Sequence, residues 1–345
     1  MTYEKAFNQA KEALAQGKYA DASMLLHRAL DKLEKAAEDG GPGSKKQRFR
    51  ASEGAIRARL GHCLRLTGKF GEARKEFECV KAIAQELEDD GLMAEALMGL
   101  GFVAWRSDEH REARALFNDA IMLANKKHYR AVKGMALMGL GNLDLVCRKL
   151  NEGVKVYEQA CPILAALPEA RTDYARLLHN LAFLYYKNGD SDKAVETFKR
   201  SLEISDSLGD VHISGYVLTN MALMHLLSDK VAEGEKELEK AGRLLARSND
   251  RIGLNFVTWV QGILKYKKGD LDGAMAHYRK ARRGFEELGM AAQILNMTID
   301  YVPAIKAAGQ NKEVLDVLGK LKAFYVEKDY PEMASRVDEA IKMVK

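Results

Sequence analysis

The side chains able to do chemistry are dispersed along the chain. Eight histidines stand at 27, 62, 110, 128, 179, 212, 225 and 277, and no two form an H-E-x-x-H or other ligand spacing on one helical face. The four cysteines, Cys63, Cys79, Cys147 and Cys161, show no C-x-x-C step. They read as reduced, mostly buried thiols rather than as a metal site or disulfides. MGLGFVAW (98–105) and MGLGNLDL (138–145) hint at a dinucleotide loop. That loop needs a third glycine and a preceding strand, and both stretches lie inside helical patterns instead. No G-x-x-x-x-G-K-[ST] occurs, and acidic runs such as Glu286-Glu287 fall where a solvated helix face is expected. No Ser, Cys or Lys has a legible activating neighbour. The expectation is a protein that is not an enzyme and holds no metal or cofactor.

One charged segment stands out. Residues 45–75 carry ten cations, Arg65 among them, against Glu53 and Glu72, a local +8 in a chain of net +5. Such a patch keeps nucleic acid or an acidic partner open. Against it, only Phe49 and Phe70 supply aromatic rings there, and no nucleic-acid motif is present. The plainer reading is a solvated helix face beside a flexible insertion.

The elements that must position these residues read as helices throughout. Of 345 residues, 47% are hydrophobic and 30% charged, with only five prolines. Ala, Leu, Glu, Lys and Met are plentiful, and apolar residues recur at three- and four-residue steps, as in Leu116, Phe117, Ala120, Ile121 and Leu123. The start, MTYEKAFNQAKEAL, has no apolar core of a signal peptide, and no run approaches the roughly 20 apolar residues of a membrane span. A soluble, cytoplasmic, all-α protein is expected, with no membrane partner.

The helices repeat. Turn positions fall at Gly68, Asp108, Arg148, Gly189, Asp229, Gly269 and Gly309, spaced 40, 40, 41, 40, 40 and 40 residues apart. An earlier copy turns at Gly17, separated from the rest by the segment DGGPGSKK (39–46). Seven residues before each turn stands a small residue in seven of eight copies, such as Gly61, Gly101, Gly141 and Ala182; nine after it comes a large one, such as Phe77, Phe117, Tyr157 and Phe198. ALMGLG is written twice, at 96–101 and 136–141, in this register. Alternating small and large residues at helical spacing is a close-packing pattern.

The Leu-Gly pairs at 60–61, 100–101 and 140–141, the turn residue, the alanine after it and the aromatic beyond resemble the tetratricopeptide (TPR) repeat, in its 40-residue subclass. HNLAFLYYKNGDSDKAVETFKRSLEI (179–204) is the clearest copy. The family's usual tryptophan early in the first helix is replaced by Leu97, Leu137, Leu178 and Leu218. The resemblance implies a single right-handed superhelical solenoid over 1–345 of about eight TPR-like helix hairpins: repeat 1 at 2–38, a flexible insertion at 39–46, repeats 2–8 at 47–328, and a C-terminal capping helix at 331–345. Pro303 is expected to interrupt the first helix of the last copy, and Pro162 to kink the second helix of copy four.

The resemblance also implies that the first helix of each copy lines a concave groove. Copy two then contributes Arg65, and copy three Met98, Phe102, Trp105 and Arg106. Copy four gives Met138 and Asn142; copy five gives Arg176, His179, Phe183, Tyr186 and Lys187; copies six and seven add Tyr216, Trp259 and Tyr266. Aromatic, Met and Arg side chains are enriched at interfaces, though each ring also has a packing role open to it. A chaperone-tail carboxylate clamp is not implied: Asn142 and Asn180 match its asparagines, but Met138, Tyr216 and Asn220 stand where it needs cations. The expected function is a non-enzymatic adaptor binding a partner peptide or helix in the groove. On that reading, replacing Trp105 and Trp259 by Ala abolishes capture and leaves the array folded. The alternative is a ligand- or peptide-sensing module acting through a separate effector.

Overall fold

The computed structural model describes residues 2–15, 18–38, 44–107, 109–127, 129–147, 149–248 and 250–345. The chain is all-α. The first helices of successive hairpins are α1 (Tyr3–Ala15), α3 (Ser44–Leu66), α5 (Asp90–Arg106), α7 (Arg130–Val146), α9 (Arg171–Lys187), α11 (Val211–Leu227), α13 (Arg251–Lys267) and α15 (Ala291–Ala307). Their partners are α2 (Tyr19–Glu38), α4 (Phe70–Leu87), α6 (His110–Lys127), α8 (Leu150–Ala165), α10 (Ser191–Leu208), α12 (Val231–Arg247), α14 (Leu271–Glu287) and α16 (Asn311–Glu327), followed by α17 (Pro331–Val344). The turn positions Gly17, Asp108 and Arg148 and most of the insertion, 39–43, lie outside the described residues. Helix α3 already begins at Ser44, inside the segment read as an insertion.

The sequence sets these boundaries through its caps. Asp89, Asp190, Asp210, Asp250 and Asp270 each sit just before a helix and accept a backbone N–H two or three residues on, at 2.8–3.2 Å. Each satisfies a donor that the first helical turn leaves unbonded. Within hairpins the reversal falls on a left-handed residue, with φ of 81° at Gly68, 85° at Gly189 and 60° at Asp229. Aspartate tolerates that conformation better than most residues, so copy six turns without a glycine.

Two compact units divide the chain: Met1–Asp144 with Asn151–Asp173, and Leu145–Leu150 with Tyr174–Lys345. In unit 1, the recurrent large residue is a wedge between glycines. The Phe77 ring fills the space left by Gly61 on its own hairpin and by Gly99 on the next; Phe117 does the same with Gly101 and Gly139. A Cβ on Gly101 would stand 2.8 Å from Phe117, and one on Gly141 2.6 Å from Tyr157. Both glycines of each ALMGLG are therefore occupied by aromatic rings, and the hexapeptide is a packing device.

Unit 2 builds one large core across α11–α17, around Tyr278, Phe285 and Tyr301. Helix α17 lays Met333, Ala334, Val337, Ala340 and Val344 against α15 and α16 and closes the end of the stack. Pro303 does not interrupt α15, which runs unbroken from 291 to 307 with the proline on its exposed side. There the ring costs one ladder hydrogen bond but displaces no core packing. Helix α8 runs on past Pro162 to Ala165, and a short 3₁₀ turn (Pro168–Ala170) follows.

Candidate functional site

Exposure divides the fifteen inner-helix residues. Five are closed off: Met98 is 4% exposed, Phe102 2%, Met138 3%, Asn142 7% and Trp259 6%. Groove contact for these five is corrected, because helices packed on both sides of α5, α7 and α13 cover the positions. Phe102 meets Phe117 edge-on at 5.0 Å, with the Arg65 guanidinium over its other surroundings at 4.6 Å from the ring centre. Asn142 Oδ1 accepts the Tyr157 hydroxyl at 2.5 Å, so it satisfies a buried phenol rather than a ligand. Trp259 stacks on Phe256 and meets Phe285 edge-on. In unit 1 this leaves Arg65 and Trp105 half-buried and Arg106 exposed, the Arg106 guanidinium lying 5.6 Å from the Trp105 ring and 5.4 Å from Phe70.

Unit 2 keeps Arg176, His179, Phe183, Tyr186, Lys187, Tyr216 and Tyr266 half-buried. Several of them meet. The His179 ring lies 6.4 Å from Tyr216, and Tyr216 lies 5.9 Å from Phe256, so rings pass from α9 to α11 to α13. His179 Nδ1 donates to Asn180 Oδ1 at 3.0 Å, and its Nε2 accepts from Asn220 Nδ2 at 2.7 Å. That arrangement needs the neutral imidazole. Burial pushes the His179 pKa down to about 4, against the Asn180 hydrogen bond and with help from the Arg176 charge. Between about pH 6.5 and 4 the unfolded chain therefore takes up a proton at His179 that the folded chain refuses, and stability falls as pH falls through that window. Unfolding midpoints measured from neutral to acid pH should drop less steeply for His179→Gln than for the unaltered protein; equal slopes would show that the imidazole is not held neutral.

At the start of α11, His212 Nδ1 and Asp250 Oδ2 stand 3.0 Å apart, and Tyr216 Oη reaches Asp250 Oδ1 at 3.5 Å. The Asp250 hydrogen bond raises the His212 pKa. At the far end of α9, the Lys187 ammonium lies 3.9 Å from Asp300 Oδ1 of α15. Asp300 was not among the expected residues, because copy eight looked irregular. The signal was there: Asn180, Asn220 and Asp300 each stand nine residues before their turns.

The basic segment is also resolved. Arg50 binds Glu53 and Glu86 at 2.6 Å, Arg57 binds Glu53 and Glu76 at 2.8 and 2.9 Å, Arg59 binds Glu95 at 2.5 Å, and Arg74 is paired with Glu109 and Glu112. Most of these acids lie beyond residue 75, so Arg50, Arg57, Arg59 and Arg74 are paired in space with carboxylates outside the segment. No helix among the described residues is long and apolar enough to cross a membrane, and no cluster of His, Cys, Asp and Glu among them is placed to hold a metal ion.

Stacked helix hairpins, each packing one large side chain, aromatic in five of eight copies, at the same register, define a helical-repeat protein. Residues 53–126 and 134–207 match the family model of the tetratricopeptide repeat. These two stretches are built of tetratricopeptide repeats. Curated relatives include the Photosystem I assembly protein Ycf3 of Synechococcus sp. (strain CC9605) and that of Prochlorococcus marinus (strain MIT 9313), each 28% identical over 121 residues, 35% of this chain. The chain spans 60% of the length of these relatives. Among solved structures, a Rap protein complexed with competence and sporulation factor superposes with a TM-score of 0.65 at 12% identity, covering 98% of this chain and 99% of that one. The Rap conjugation gene regulator of plasmid pLS20, in complex with the Phr* peptide, gives 0.63 at 15% identity, covering 83% and 74%. At such identities the likeness is one of fold.

Proposed function

We propose that the chain is a non-enzymatic cytoplasmic scaffold that captures an extended segment of a partner protein along the inner faces of α9, α11 and α13. The observation that carries this reading is the half-buried file of rings and amides on those helices: His179 and Phe183, then Tyr216 and Asn220, then Phe256 and Tyr266. Rings offer contact area at little entropic cost, and amides can bond an extended backbone. The curated relatives are assembly proteins, which agrees with a scaffold that works by holding another chain. Hydrogen–deuterium exchange on the full chain with bound partner should protect α9, α11 and α13 more than α10, α12 and α14. Protection confined to the even-numbered helices would overturn the reading.

A second reading has its own support. Two of the similar solved structures are complexes, one with competence and sporulation factor and one with the Phr* peptide. A sensor would change the arrangement of its hairpins on binding and act through a separate effector. Small-angle scattering with and without a bound peptide separates the two, since a scaffold's profile stays the same.

A further inference from the structure

The last turn of α9 presents two hydrogen-bond donors whose capacity is unspent among the described residues. The Tyr186 hydroxyl makes no hydrogen bond to the described residues, and burial, helped by the Asp300 charge, raises its pKa and keeps it a phenol. The Lys187 ammonium lies 5.3 Å and 5.7 Å from the centres of the Phe183 and Tyr186 rings. Its one carboxylate neighbour, Asp300 Oδ1, stands at 3.9 Å, too far for a hydrogen bond. A partly desolvated ammonium makes charge-assisted bonds a full ångström shorter when a carboxylate can reach it. Asp300 is held back on α15. One turn before Asp300 on the same face of α15, Asn296 Oδ1 accepts from Arg336 of α17 at 2.7 Å.

We infer that Tyr186 and Lys187 form an anion subsite that takes the side-chain carboxylate of an Asp or Glu in the captured segment, with Asp300 as the internal group that this carboxylate displaces. The inference rests on the groove reading above and names the chemistry of the partner: an acidic extended segment. Incoming carboxylate accepts from the phenol and the ammonium together, while Asp300 moves into solvent. Asp300 thus weakens binding in the unaltered protein, both by competition for Lys187 and by repulsion.

The test pans a random heptapeptide display library against the full-length chain and titrates the selected peptides by fluorescence anisotropy. Selected peptides should carry Asp or Glu at one shared position, and bind less tightly as salt rises. Lys187→Met should weaken them about tenfold and Tyr186→Phe about threefold, while Asp300→Asn should tighten them about threefold. These half-buried positions tolerate substitution, and thermal melting of each variant checks that it folds. Binders without an acid that ignore Lys187→Met but lose affinity on Tyr216→Ala would overturn the subsite and leave the groove reading standing. Binders weakened by Asp300→Asn, or dependent on a free carboxyl terminus, would overturn the assignment to an acidic side chain. A library that yields no binder would sink the groove reading and this inference with it.

Discussion

Replacing Trp259 by alanine should destabilise the protein by about 3–5 kcal/mol, the range for truncating a large aromatic in a packed core. The indole is 6% exposed and lies against Phe256 and Phe285. Sequence reasoning placed Trp259 in the groove, where its loss would silence binding and spare the fold. The structure reverses that outcome, and failed capture by Trp259→Ala would report unfolding. Trp259→Phe separates the terms. The indole Nε1 is buried with no acceptor among the described residues, which costs about 1–3 kcal/mol. Phenylalanine removes that donor and keeps much of the ring, so its net effect should be about 1 kcal/mol or less. Urea denaturation of both variants, with unchanged m-values, checks the pair; equal losses would mean that volume alone matters at this position.

Gly262→Ala should have a comparable effect through the same helix. Tyr301 sends its hydroxyl through the gap beside Gly262 to donate to the Trp259 carbonyl at 2.6 Å. A Cβ on Gly262 would overlap that hydroxyl, come within 2.7 Å of Tyr301 Cζ and 2.9 Å of His277 Cβ. Tyr301 is 1% exposed and has nowhere to retreat. Overpacking costs about 1–3 kcal/mol and the lost buried hydrogen bond a similar amount, against about 1 kcal/mol of helix propensity gained by alanine. The clash wins by about 3 kcal/mol, a drop of about 6–12 °C in melting temperature for a body of this size. Tyr301→Phe in the Gly262→Ala background removes the overlapping oxygen and should recover part of the loss. A melting curve unchanged by Gly262→Ala would show that the two helices are not so closely packed.

The period was legible because close approach has to be reproduced in every copy. Gly101, Gly141, Phe117 and Tyr157 each occupy a register that packing enforces, and spacing alone reveals such a register. Exposure within a register was not legible. Met98 and Met138 occupy the same position as His179, and the neighbouring helices cover the first two and leave the third half-open. Pairing across copies was hidden as well. Arg50 and Glu86, or Arg59 and Glu95, stand 36 residues apart, so a window of charge misses pairs that the fold makes. Asp300 escaped because Val302 and Pro303 beside it made its copy look irregular, although its distance from the turn was ordinary.

That register, nine residues before the turn, holds Gly99 and Gly139 beside Asn8 and Arg59 in unit 1, and Asn180, Asn220 and Asp300 beside Val260 in unit 2. Where it is glycine, one ring is shared by two consecutive hairpins, Phe77 by the copies that hold Gly61 and Gly99, Phe117 by those that hold Gly101 and Gly139. Neither hairpin can fray without emptying the other's wedge, so copies two to four should melt as one cooperative block with strong nearest-neighbour coupling. Where the register carries an amide or an acid, the shared rivet is given up and a functional group is gained in its place. In copies three to six and in copy eight, coupling between neighbours and chemistry on the inner face are thus traded against each other at a single position.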